Sequence, residues 1–341
     1  MVTIENLEKE LKNGNLKSLY FLYGEELFLL ETSLKKIKTL FGECMKGINY
    51  IPIDETNYQQ LISDIETPSF GYEKKLIIAR NTGLLKKEGK RKSVELANMR
   101  EKLDNYIKQN IKTIEQGVVL VFIEEEADVK QELYKTIDKL GIVCKFDYQK
   151  PIQIEKRLKG ICHAYQVEIE DTTLHYFIEC CGTNMQELIN EIRKLIEYVG
   201  KGGKIQKKDI DVLSIKKFES VIFDLTDSLG KKEIAKALEV LKNLIYAKEP
   251  LQKILITLYN HFKKIYLTTI CLKNNKDIVE ALDLKPNQTF LINKYKMQAR
   301  YFKEKELRQI LQSLIDLDYE YKNGKIDLQI GLETILCQYC S

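Results

Sequence analysis

The residues Leu19-Tyr-Phe-Leu-Tyr23 run straight into Gly24-Glu25-Glu26, and a helix-patterned segment starts at Leu27. In an α/β domain this strand–turn–helix corner is where phosphates bind. The turn offers backbone N–H groups, and the helix N-terminus offers partial positive charge. Holding a nucleotide there takes GxxxxGK[ST], whose lysine reaches the phosphates and whose hydroxyl reaches magnesium. The corner here has one glycine and two carboxylates. Glu25 and Glu26 would repel a triphosphate, while anionic side chains suit a helix start. The expectation is a degenerate nucleotide corner at Gly24, Glu25 and Glu26, in the frame of an NTPase, with no cofactor.

Two further stretches could do chemistry. Gly83-Leu-Leu-Lys86-Lys87-Glu88-Gly89-Lys90-Arg91-Lys92 imitates a phosphate loop. Its glycines stand one residue too far apart, and Arg91 takes the place of the hydroxyl. It reads as a mobile basic loop. Five cations (Lys86, Lys87, Lys90, Arg91, Lys92) against Glu88 give +4, equal to the formal net charge of the whole chain. Such a run is either solvated surface or a contact for DNA phosphates. The second stretch is Thr67-Pro68-Ser69-Phe70-Gly71-Tyr72-Glu73-Lys74-Lys75. Pro68 biases Thr67 away from helix, and Gly71 permits an unusual backbone angle. Phe70 either projects outward as an anchor for a partner's pocket or folds back under its own helix. The residues alone leave both open.

Catalytic groupings are missing. His163, His175 and His261 are far apart in helix patterns, and no HExxH, GxSxG or Cys/His signature occurs. Asp54-Glu55 follows an apolar run and reads as ordinary helix-start acids. Eight cysteines include one lone CxxC, Cys337 and Cys340, with no partner pair, so no metal site is expected. The N-terminus has no signal-peptide pattern, and no apolar run approaches a membrane span, which reads as a reduced, cytoplasmic protein.

These residues need elements to hold them. Apolar runs at 19–23, 48–53, 75–80, 118–123 and 142–148 alternate with amphipathic segments near 26–41, 57–66, 94–110 and 129–140. That spacing predicts a parallel sheet wrapped by helices, and the unbroken apolarity of the runs predicts cover on both faces. After Pro151 the strand signal fades. Segments 152–165, 171–181, 184–199 and 207–213 read as helices, with Asn184 and Gly200 as caps of the third. Residues 201–205 read as a turn. From 216 on, helices are expected at 218–229, 231–246, 250–273, 275–281, 287–299, 304–322 and 327–338. The 341 residues thus divide into an α/β domain (1–150), a small helical domain (151–215) and an all-α domain (216–341).

Taken together, these segments resemble the delta-subunit family of bacterial DNA polymerase III, the clamp-opening subunit of the replicative clamp loader. Leu19–Leu30 matches its first strand and Gly-x-Glu corner, and Glu66–Ile78 its clamp-contacting helix and following strand. Cys181–Leu195, Ile222–Leu229, Ala237–Leu244 and Asp318–Asp327 fit in the same order. The resemblance implies an AAA+-like first domain without a working phosphate loop, a lid domain at 151–215 and a collar domain at 216–341. It implies a non-catalytic subunit that binds and opens the sliding clamp (beta), so that the loader can place it on primed DNA. It also implies ATPase subunits of gamma/tau type and a delta-prime-type subunit as partners, and membership of a holoenzyme that is a DNA-directed DNA polymerase, a nucleotidyltransferase. The clamp-binding residues map to Pro68, Ser69, Phe70, Gly71 and Tyr72. Many family members place two bulky apolar residues side by side; here Phe70 stands between Ser69 and Gly71, and either Phe70 or Tyr72 fills the clamp's pocket. Two other readings exist, an active AAA+ NTPase with a divergent phosphate loop and a stand-alone DNA-binding protein. The Gly24-Glu25-Glu26 corner opposes the first, and the weak net charge opposes the second.

Overall fold

The computed structural model describes residues 1–87 and 94–340. The chain forms two compact units, Met1–Tyr148 and Gln149–Ser341. The first boundary lies within two residues of the expected one. The expected division near 215 falls inside the second unit.

In the first unit, α1 (Ile4–Lys12), β1 (Leu19–Tyr23), α2 (Leu27–Phe41), β2 (Tyr50–Ile53), α3 (Leu61–Glu66), β3 (Lys75–Arg80), α4 (Val94–Gly117), β4 (Val118–Glu124), α5 (Glu132–Leu140) and β5 (Ile142–Lys145) follow in order. The five strands make one parallel sheet in the order β2-β3-β4-β1-β5. Side chains alternate between its faces. Phe21, Ile77, Leu120 and Phe122 join one core with residues of α3, α4 and α5. Tyr20, Leu22, Leu76 and Val121 join another with α1 and α2. Both faces are covered, which is why the strands read as unbroken apolar runs.

Several bounds differ from expectation. The helix Ile4–Lys12, capped by the Thr3 hydroxyl, is additional to the segments expected from the sequence. Helix α4 continues past 110 to Gly117, with a kink at Asn110, whose amide turns back to the Tyr106 carbonyl. Strand β5 stops at Lys145, and Phe146 leaves the sheet to serve the corner described below.

The second unit holds α6 (Pro151–Ala164), β6 (Glu168–Ile169), α7 (Asp171–Cys181), α8 (Met185–Val199), β7 (Lys204–Ile205) and α9 (Lys207–Leu213). Then come α10 (Phe218–Gly230), α11 (Ile234–Tyr246), α12 (Leu251–Lys273), α13 (Ile278–Ala281), α14 (Leu291–Ala299), α15 (Glu304–Lys322) and α16 (Leu328–Cys340). Asn184 caps α8 through Glu187 N–H, and Gly200 ends it at φ +70°, as the sequence indicates. Residues 204–205 are no mere turn; they pair with 168–169 as a small parallel ribbon. The helices α10 to α16 share one apolar core from Ile222 to Tyr339. Ties across position 215 explain the single unit. Lys217 N–H donates to the Cys180 carbonyl, the Asn287 amide to Thr183, and Lys294 pairs with Glu179. Among the described residues, no helix is long and apolar enough to cross a membrane, and no group of three or more His, Cys, Asp or Glu could hold a metal ion.

Candidate functional site

The corner after β1 is closed by the chain itself. Gly24 has φ +129°, and a Cβ there would lie 2.3 Å from the Phe146 carbonyl oxygen. That oxygen accepts from Glu26 N–H at 2.9 Å, and Phe146 N–H donates to the Tyr23 carbonyl at 2.6 Å. The Phe146 carbonyl therefore packs directly against the corner, and one corner amide is already bonded. Glu25 is exposed and Glu26 buried. Glu26 holds the cap position of α2 without a side-chain cap bond, and the first turn of α2 carries no acid. The two carboxylates thus stand at the helix start, Glu26 in the cap position and Glu25 before it, and not inside its first turn.

A second acidic group went unremarked in the sequence. Glu124-Glu125-Glu126 closes β4, the neighbour of β1. In a P-loop NTPase an acid at a strand end helps hold magnesium. Here Glu124, 3% exposed, accepts from the Thr82 hydroxyl at 3.0 Å and Gly83 N–H at 2.8 Å. Burial pushes its carboxyl pKa up, against the pull of those donors and of Lys86. The acid latches the segment after β3. Asp54 does local work too, accepting from the Thr56 amide and hydroxyl in a turn after β2.

The described part of the basic segment is anchored to the protein. Leu84 and Leu85 are fully buried, and Arg100 donates to the carbonyls of Gly83, Leu84 and Lys86. Lys86 lies 3.6 Å from Glu125 and 3.8 Å from Glu126, so its charge has protein partners. Lys87 is exposed. Lys90, Arg91 and Lys92 lie outside the described residues.

The turn between α3 and β3 presents Phe70 at 91% exposure. It does not fold back under its helix. Gly71 has φ +76°, which favours glycine. The Ser69 hydroxyl donates to the Tyr72 carbonyl at 2.7 Å and closes the tip. Pro68 is exposed. Tyr72 is half-buried, its hydroxyl 2.7 Å from Met45 Sδ, so its ring lies along the protein. The turn's base holds the residue sequence reasoning missed. Lys75, 3% exposed, donates to the carbonyls of Asp64 at 2.7 Å and of Thr67. Burial lowers its pKa, opposed by the Asp64 carboxylate. Its only sequence signal was a lysine at the first position of an apolar strand. Glu124, Arg100 and the Phe146 carbonyl are thus engaged within the protein, and Phe70, at the tip of its turn, is the most exposed of the large apolar side chains among the described residues.

Comparison with known proteins gives this turn its context. Residues 20–147 match the family model described as DNA polymerase III, delta subunit, and residues 219–339 match that of its C-terminal domain. The DNA polymerase III subunit delta of Bacillus subtilis (strain 168) is 27% identical over 337 residues, covering 97% of this chain and 95% of that protein. The probable DNA polymerase III subunit delta of Aquifex aeolicus (strain VF5) is 26% identical over 306 residues, covering 88% and 84%. The solved structure of the Bacillus subtilis DNA clamp loader delta protein (YqeN) superposes with a TM-score of 0.73 at 25% identity, covering 99% of each chain. Both matched regions occur in the family's order, and the fold agrees along the whole chain: this protein belongs to the DNA polymerase III delta subunit family.

Proposed function

We propose that this chain binds the ring-shaped sliding clamp through the Phe70 turn and opens it, so that a clamp loader can place the ring on primed DNA. The observation that carries the reading is the almost complete exposure of Phe70 on a turn closed by Ser69 and Gly71. An apolar ring left in water costs its owner solvation and suits a partner's pocket. Phe70 fills that pocket. Tyr72, braced on Met45, flanks it together with Pro68. The chain supplies no catalytic site; ATP is handled by gamma/tau-type sibling subunits, and a delta-prime-type subunit completes the loader in the cytoplasm. The self-closed corner at Gly24 supports a role without nucleotide. Within the second unit, residues 151–215 act as a lid and 216–341 as a collar that joins the siblings. DNA phosphates are met by Lys87, Lys90, Arg91 and Lys92, with Lys86 shared between DNA and its glutamates.

The test is Phe70→Ala in the full chain. Clamp affinity is expected to fall by roughly 2 kcal/mol or more, about 30-fold, with stability changed by no more than about 0.5 kcal/mol, the usual range for a surface side chain. A sharp fall in melting temperature with normal clamp binding by the folded protein would overturn the reading.

A further inference from the structure

We propose that Lys75 is the positioning residue that fixes the direction of Phe70, its ammonium stapling the end of α3 to the start of β3. The proposal rests on the reading of the Phe70 turn as the clamp contact. A lysine is almost never fully buried without partners, because desolvating the ammonium is costly. At the first residue of a strand it could turn to solvent. Instead Lys75 lies inside, and its Nζ donates to the carbonyls of Asp64 and Thr67.

Those two carbonyls are the ones that matter for the turn. Helix α3 has only six residues, and its last carbonyls lack helical partners. The Ser63 carbonyl is satisfied by the Thr67 amide and hydroxyl. The Asp64 and Thr67 carbonyls are satisfied by one ammonium rooted in the sheet. Residues 67–74 are thereby pinned at both ends to the same buried point, and Phe70 stands at the tip. A neighbouring loop is set from the same strand end. Leu76 N–H donates to the Asn49 carbonyl at 2.7 Å, while buried Asn49 accepts from Met45 N–H at 2.6 Å and donates to the Glu43 carbonyl at 2.8 Å. Met45, so placed, braces Tyr72. A methionine or leucine at 75 would fill the space at lower desolvation cost, but neither could hold the carbonyls. The ammonium therefore serves order in the turn, which spares the ring an ordering cost on binding.

The experiment uses the full chain and the sliding clamp, with Lys75→Met, Lys75→Arg, Phe70→Ala and the Lys75→Met/Phe70→Ala double variant. Amide hydrogen exchange is read over residues 67–74 without clamp, and clamp affinity is read separately. Lys75→Met is expected to speed exchange in the turn about tenfold, with β4 unchanged, and to weaken clamp binding about tenfold, as loss of one ordered side chain's worth of pre-organisation implies. Lys75→Arg keeps donors at that reach and restores most of both. In the Phe70→Ala background Lys75→Met costs no further affinity. Unchanged exchange in the turn, or an equal affinity loss in both backgrounds, overturns the proposal. If Lys75→Met does not fold, Lys75→Arg carries the test, and turn exchange as fast as in an unstructured peptide overturns it. If Phe70→Ala leaves clamp affinity untouched while Lys75→Met speeds exchange, the clamp reading of the turn fails and the hold of Lys75 on it stands.

Discussion

Replacing Gly24 by alanine tests whether the chain closes its own nucleotide corner. The added Cβ would stand 2.3 Å from the Phe146 carbonyl oxygen and 2.7 Å from its carbon. Backbone cannot yield as a flexible side chain does. Either residue 24 leaves φ +129°, or the segment after β5 withdraws. Holding a non-glycine residue in such a conformation costs about 1–3 kcal/mol. Withdrawal weakens two backbone bonds, Phe146 N–H to Tyr23 and Glu26 N–H to Phe146, each contributing about 1 kcal/mol net. The sum is roughly 3–5 kcal/mol, a large share of a typical domain stability of about 5–15 kcal/mol. Urea unfolding followed by far-ultraviolet circular dichroism reads it. Because the chain has two compact units, the first is expected to melt separately and earlier in the variant, with the transition of the second unmoved. A loss below about 1 kcal/mol would refute the reasoning, since the close approach would then be soft and the corner free to open.

Three further outcomes follow from the same geometry. Calorimetry with magnesium and ATP is expected to show no binding to the wild-type chain or to Glu25→Lys, because the Phe146 carbonyl packs against the corner whatever the charge beside it; micromolar affinity in either would refute this. Buried His261 is bonded to Thr226 at 3.0 Å and Gln298 at 2.7 Å, and burial lowers its pKa to about 4, with Lys264 and Lys294 adding to the effect. The unfolded chain takes up that proton first, so stability is full above about pH 6.5 and falls towards pH 4 by up to about 3 kcal/mol; His261→Asn should flatten that part of the pH–stability curve. Residues 149–341 are expected to join sibling loader subunits without the first unit, whereas a cut at 216 severs the ties to Cys180, Thr183 and Glu179 and should destabilise the fragment; failure of a folded 149–341 segment to assemble would reject the collar role.

Local periodicity and composition determined most of the elements. The five unbroken apolar runs mark strands covered on both faces, and Asn184 and Gly200 mark the ends of α8, because such signals act within a few residues of chain. The missing lysine and hydroxyl at Gly24 are equally local. Only the tertiary structure decided which groups meet. That Phe70 faces water depends on whether any distant segment covers it, and a Pro-Ser-Phe-Gly turn permits either outcome. That Phe146 closes the corner follows from β5 lying beside β1, a pairing formed between the ends of the first unit. The burial of Lys75 and Glu124 is likewise tertiary, because the groups that hold them, the Asp64 and Thr67 carbonyls and the Thr82 hydroxyl and Gly83 amide, belong to other segments. Burial and hydrogen-bond partners are properties of packing between elements, and these give the turn its direction.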